Sequence, residues 1–174
     1  MTEQDARTEA ALAYIRHQAT KRLADLRVLA ERTAADCGRC LEGITEERAC
    51  FKPGHEWSVK EVLDHLIDAT ARQVIAPIRD LADGREPRPF SADTSHRRAM
   101  QSIEELRKEI ATLLSEAVVL VSSLPAGARP AGTWGHPILG PLNLKELVAY
   151  HRLHVMDHVQ QIEKIKADPG YPAD

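Results

Sequence analysis

Four segments of this chain repeat their apolar residues at the helical period, and no segment longer than four residues alternates convincingly as a half-buried strand would. Leu12, Ile15, Leu23, Leu26, Leu29 and Ala30 mark the first run. Val59, Val62, Leu63, Leu66, Val74 and Leu81 mark the second, and Ile103, Leu106, Ile110, Leu114 and Val118 the third. The last carries Leu144, Leu147, Val155, Ile162 and Ile165. Aromatic residues make up only 4%, so the core must come from Leu, Ile, Val and Ala, the usual helix-packing set. The expected fold class is all-α, a four-helix bundle with no sheet. With 174 residues there is enough chain for one sizeable core, so residues 1–174 are expected to form a single domain.

Punctuation sets the boundaries. The first run is long for one helix, which predicts a break near Gln18–Thr20. Residues 1–19 then form an N-terminal extension with a short extra helix, and 20–166 form the bundle. Ser58 followed by Glu61 is a capping box opening the second helix, and Trp57 before it can staple onto Val62. Pro77 predicts a kink or a final turn, and Gly84 an end. The third helix is predicted over Thr94–Ser123. A loop rich in Gly and Pro follows, and Asn143 with Glu146 caps the last helix.

Net charge is −3, which gives no footprint for nucleic acid or an anionic membrane. No stretch approaches the roughly 18 apolar residues of a membrane span. The polar start, MTEQDARTEA, lacks the apolar core of a signal peptide, so a cytoplasmic location is expected. Cys37, Cys40 and Cys50 are too few, and odd in number, for a disulfide framework. Cys37-Gly-Arg-Cys40 is a weak redox or zinc signal by itself. Cys50 and His55 could complete a four-ligand set, although the spacing matches no common zinc finger.

The stretch HRLHVMDHVQQI, residues 151–162, carries the chemistry. At about 100° per residue, His151, His154 and His158 fall in the same arc as the apolar residues of the last helix. A lone histidine on an apolar face is more often a core residue than a ligand, but each buried imidazole needs partners for two ring nitrogens. Metal coordination supplies them. His154 and His158, at i and i+4, are neighbours about 5–6 Å apart at Cβ and can share one ion. Three ligands strung along one helix converge poorly, so one is expected from a facing helix. His65 lies within about 60° of Val62 and Ala69 and suits that role. The zinc-protease pattern HExxH is excluded, because Val155 stands where the general-base Glu would be. Di-iron bundles need Glu-x-x-His pairs, and none occurs. A nitrogen-rich, mononuclear site suits Zn, Ni, Fe or Cu rather than Mg or Ca.

Three segments together, WSVKEVLDHL (57–66), GHPILGPLNLKEL (135–147) and HRLHVMDHVQQI (151–162), resemble the DinB-like superfamily of metal-binding four-helix bundles. The resemblance covers residues 20–166 and implies a metal triad of His65, His154 and His158, holding one divalent transition metal (Zn, Ni or Fe). It makes Gln161 an outer partner of His158. His151 is expected to line the cavity or hydrogen-bond a neighbour, Trp134 and His136 to lie near the metal mouth, and Trp57 is a further candidate for the pocket. Three neutral imidazoles leave coordination positions open, as in catalytic sites.

The resemblance implies members that transfer a low-molecular-weight thiol to an electrophile, and others labelled metal-dependent hydrolases. A small-molecule substrate and a homodimer are expected on the same ground. Asp68, Asp157 and Glu61 are the carboxylates near enough in sequence to serve as a base, and none is assigned. A metal-stabilised binding or stress protein without enzymatic activity is the reading from another class, and a fourth protein ligand from His151 or His136 would favour it.

Overall fold

Helix boundaries in the computed structural model follow the capping chemistry of the sequence. The structure describes residues 2–91, 95, 97–124 and 132–173. Helix α1 spans Glu3–Ala19, opened by Thr2. Helix α2 spans Leu23–Cys40, so the chain breaks between them at Thr20–Arg22. At 17 residues, α1 is a full helix rather than a short one. A single turn, α3 (Glu46–Cys50), leads to α4 (Val59–Ala69). Ser58 Oγ accepts from the Glu61 N–H and Glu61 Oε2 accepts from the Ser58 N–H, closing the expected capping box.

Pro77 neither ends the second helix nor needs to. It has no N–H, and its ring would crowd the carbonyl four residues earlier. The chain meets it with a π-turn over Thr70–Ile75, closed by the Ala76 N–H on the Ala71 carbonyl. Helix α5 (Ala76–Ala82) then continues. Gly84, at φ 70°, supplies the left-handed residue that ends it, with the Arg85 N–H reaching back to the Asp80 carbonyl at 2.7 Å.

The third long helix, α6, spans Ile103–Ser123 and starts later than predicted. The expected start at Thr94 lies outside the described residues. Residues Arg97–Met100 form a 3₁₀ turn, and Ser102 with Glu105 makes the capping box. Glu46 ties this start to the bundle, because its Oε2 accepts from the Ile103 N–H at 2.7 Å and its Oε1 from the buried Lys60 at 2.6 Å.

The expectation of no sheet is corrected by a small antiparallel hairpin, β1 (Trp134–His136) and β2 (Gly140–Leu142). Strands of three residues are too short to show alternation in sequence. Gly140, at φ 74°, closes the three-residue loop between them in the left-handed conformation that such hairpins need. Trp134 is buried, and its indole N–H bonds the Arg88 carbonyl at 3.0 Å, which pins the preceding connection.

Helix α7 (Leu144–Lys166) packs against α1, α2 and α4. Its C-terminal half joins a core cluster with α2, α4 and α6, built on residues such as Leu63, Leu66, Leu106 and Ile162. Its N-terminal half joins a second cluster with α1, α5 and the hairpin, around Ile15, Ile78, Trp134 and Leu147. Among the described residues no helix is long and apolar enough to cross a membrane.

Candidate metal centre

The helical repeat stacks His154 and His158 one turn apart on α7, while the capping box sets the phase of α4 and with it His65. These two helices pack together. The result is one cluster of three imidazoles whose donor atoms lie within 4.8 Å of one another. His65 Nε2 is 3.2 Å from His154 Nε2, and His158 Nε2 is also 3.2 Å from it. Two nitrogens each about 2.05 Å from a tetrahedral zinc would be separated by about 3.3 Å, so this spacing fits an ion held between them.

Protonation fits as well. His158 Nδ1 lies 2.8 Å from Gln161 Oε1, an acceptor, so Nδ1 carries the proton and Nε2 keeps its lone pair for a metal. Burial lowers the pKa of His158. Burial lowers that of His154 well below the ordinary range, and the neighbouring imidazoles add to the effect. Metal binding requires neutral imidazoles, and burial favours that form at both positions on this helix.

Aromatic faces hold the rings. Tyr150 stacks on His154 with centroids 5.6 Å apart and planes at 17°. Trp57 lies nearly parallel to His158 at 6.5 Å and tilts against His65 at 5.4 Å. Trp57 also packs on the core cluster that contains Val62.

His65 and His154 open onto a cavity of about 450 Å³. That is within the ~300–1,000 Å³ range of small-molecule sites. Phe90, Leu139 and Leu153 give it apolar walls, and Thr8 and Ala11 of α1 close one side. His136 reaches it from β1, Gln73 from the π-turn and Asp157 from α7. The N-terminal extension is therefore part of the cavity wall.

The other residues singled out in the sequence separate clearly. His136 lines the cavity, but its Nδ1 accepts the N–H groups of Ile138 (3.2 Å) and Leu139 (3.1 Å). It does not join the three-histidine group. His151 corrects the expectation. It is buried, it is not among the residues lining the cavity, and its Nε2 has no hydrogen-bond partner. Burial drives its pKa down to about 4. Helical phase put it on the inner face, but one turn before His154 that face meets core rather than cavity.

Of the carboxylates, Glu61 is committed to its cap and to Lys52, and Asp68 is buried beside Arg72. Asp157 alone of the three faces the cavity; the residue is exposed, and partial desolvation of its carboxyl raises its pKa. The cysteines form no site. Cys37 and Cys40 are buried, with thiol pKa values pushed by burial up to about 11 and about 12, and neither they nor Cys50 and His55 fall in a metal-binding group among the described residues. Gln73, Tyr150 and Phe90 were not anticipated. The one signal for Tyr150 is its place one turn before His154.

Comparison with known proteins gives the family. The family model described as DinB superfamily matches residues 29–162, a span that contains all three clustered histidines and begins after α1. A Bacillus subtilis (strain 168) protein, "Uncharacterized protein YuaE", is 26% identical over 145 residues, covering 72% of this chain and 88% of the relative.

Proposed function

Because the chain belongs to the DinB superfamily, we propose that it is a metal-dependent enzyme that joins a low-molecular-weight thiol to an electrophilic small molecule. The observation that carries this reading is a cluster of three histidine donors, two of which (His65 and His154) line a cavity large enough for a small molecule, with no fourth His, Cys, Asp or Glu in the group among the described residues. Structural metal sites close their shell with protein ligands, whereas catalytic sites keep a position open. His136 lines the same cavity, but its Nδ1 is taken by two N–H groups of the hairpin backbone and it does not join the donor group.

His65, His154 and His158 would hold the ion. When bound, a divalent ion supplies Lewis acidity, which lowers the pKa of a coordinated thiol into the neutral range. The chain's own residues do the rest. Gln161 fixes the His158 tautomer, while Tyr150 and Trp57 hold the imidazole planes. Phe90, Leu139 and Leu153 exclude water from the space where an apolar electrophile would lie. Asp157 is the carboxylate within reach of a proton released there.

The test is to mix zinc- or nickel-loaded protein with a panel of low-molecular-weight thiols and a chromogenic electrophile. A metal-dependent rate with at least one thiol, lost in His154→Ala, is expected. No metal-dependent rate with any thiol would refute transfer, and release of acid from ester or amide substrates would instead favour hydrolysis.

A further inference from the structure

Of the polar groups that line the cavity outside the histidine cluster, His136 and Gln73 have their acceptor atoms already in use. His136 Nδ1 accepts two backbone N–H groups, from Ile138 at 3.2 Å and Leu139 at 3.1 Å. A nitrogen that accepts cannot carry the proton, so the neutral ring is the Nε2–H tautomer. Gln73 Oε1 accepts the Tyr150 hydroxyl at 3.1 Å, which leaves the amide nitrogen with two N–H donors. Burial pushes the Tyr150 phenol far up its titration range, so it remains an O–H donor to Gln73. Among the described residues neither Nε2 has a hydrogen-bond partner. Gln73 is only 4% exposed, yet it lines the cavity, as does His136.

Tyr150 organises both. It bonds Gln73 through its hydroxyl, and its ring sits 5.1 Å from that of His136 and stacks on His154. Phe90 and Trp134 flank His136 at 5.4 and 5.8 Å, so the imidazole is wedged as well as hydrogen-bonded. The π-turn is what brings Gln73 here, and π-turns inside α-helices recur at functional sites. What this corner shows an incoming molecule is N–H donors within apolar walls. Donors set within apolar walls favour an incoming oxygen acceptor over an apolar group.

We propose that the Gln73 amide N–H and the His136 Nε2–H form a donor pair that binds an acyl oxygen, carboxylate or carbonyl, of the molecule entering the cavity beside the three histidines. This rests on the cavity being the substrate site proposed above, and it adds that the substrate carries such an oxygen. The pair is uncharged, so it accommodates either source of the oxygen.

Phenylacetate and phenylacetamide, which share an apolar body and differ only in the acyl group, separate the two sources. Each is titrated into the full chain, with and without zinc, while two-dimensional NMR reports binding. At least one probe should bind in the millimolar range or better, and the one that binds identifies carboxylate or carbonyl. Gln73→Glu keeps an acceptor for the Tyr150 hydroxyl but replaces the donor, so it separates recognition from packing. It should weaken that probe by about tenfold or more, and His136→Phe should do the same.

Equal affinity in wild type and Gln73→Glu, or no binding of either probe, would overturn the proposal. Long-range ¹H–¹⁵N NMR of His136 is a check that needs no variant. A proton on Nε2 supports the pair, and a proton on Nδ1 refutes it. Zinc content, measured on the same samples, shows separately whether the metal reading fails.

Discussion

Two of the concavities among the described residues differ sharply, and the larger of the pair is the one without a cluster of polar groups. The groove between α2 and α6 measures about 560 Å³ and exists because small residues, Ala34 and Gly38 on one helix and Ala111 and Ser115 on the other, face each other. Its rim carries Glu31, Glu42 and Arg107, and Arg107 is already bonded to the Leu41 and Ile44 carbonyls. The cavity beside α7 is smaller, at about 450 Å³, but imidazoles, an amide and a carboxylate converge on it. Volume records where side chains are short. Function follows from polar groups brought together and from the pKa shifts that their burial imposes.

The comparison can be broken most directly with metal. Zinc at about a thousandfold excess over its Kd should raise unfolding free energy by about 4 kcal/mol, and a chelator should reverse it. The same addition to His154→Ala should do nothing. Chemical denaturation with and without zinc provides the check.

His151 sharpens the contrast, because it shares α7 with the ligands but faces neither concavity. Its imidazole titrates near 4 in the folded chain, against a reference value of 6.5. Between those values only the unfolded chain takes up the proton, so stability erodes as pH falls from about 6.5, by about 3 kcal/mol once pH reaches 4. Above pH 6.5 the residue is neutral in both states and costs nothing by this route. His151→Leu in metal-free protein should therefore flatten the stability profile between pH 6.5 and 4, as measured by denaturant titrations across that range.

Smaller effects complete the series. Gln161→Leu should weaken zinc binding about 10- to 100-fold through loss of the His158 tautomer lock, read by competition with a chromophoric chelator. Ser115→Leu, which fills the groove, should leave zinc affinity unchanged in the same assay. A zinc deficit in that variant would show that the two concavities are coupled.

Much of the site was legible in sequence because local rules place it. A capping box at Ser58 fixes the phase of α4 and so the direction of His65, and an i, i+4 pair on α7 needs only the helical repeat. The start of α6 was misread although Ser102 and Glu105 carry the same capping signature as Ser58 and Glu61. The hairpin was hidden by the brevity of its strands, and His136 gets its orientation from loop N–H groups that no periodicity encodes. Gln73 was hidden for another reason. At about 100° per residue it falls about 80° around the helix from His65, and only the π-turn, inserted ahead of Pro77, changes that phase. His151 shows the limit of helical phase, which gives the face of a residue but not what that face meets at a given height.

Metal content of tag-free protein, by mass spectrometry beside His65→Ala and His154→Ala, tests the central claim most directly. The account predicts close to one divalent ion per chain, absent from both variants, because one ligand comes from α4 and two from α7. No ion after reconstitution, or an ion retained by both variants, would contradict it and make the three imidazoles polar residues of the bundle interior.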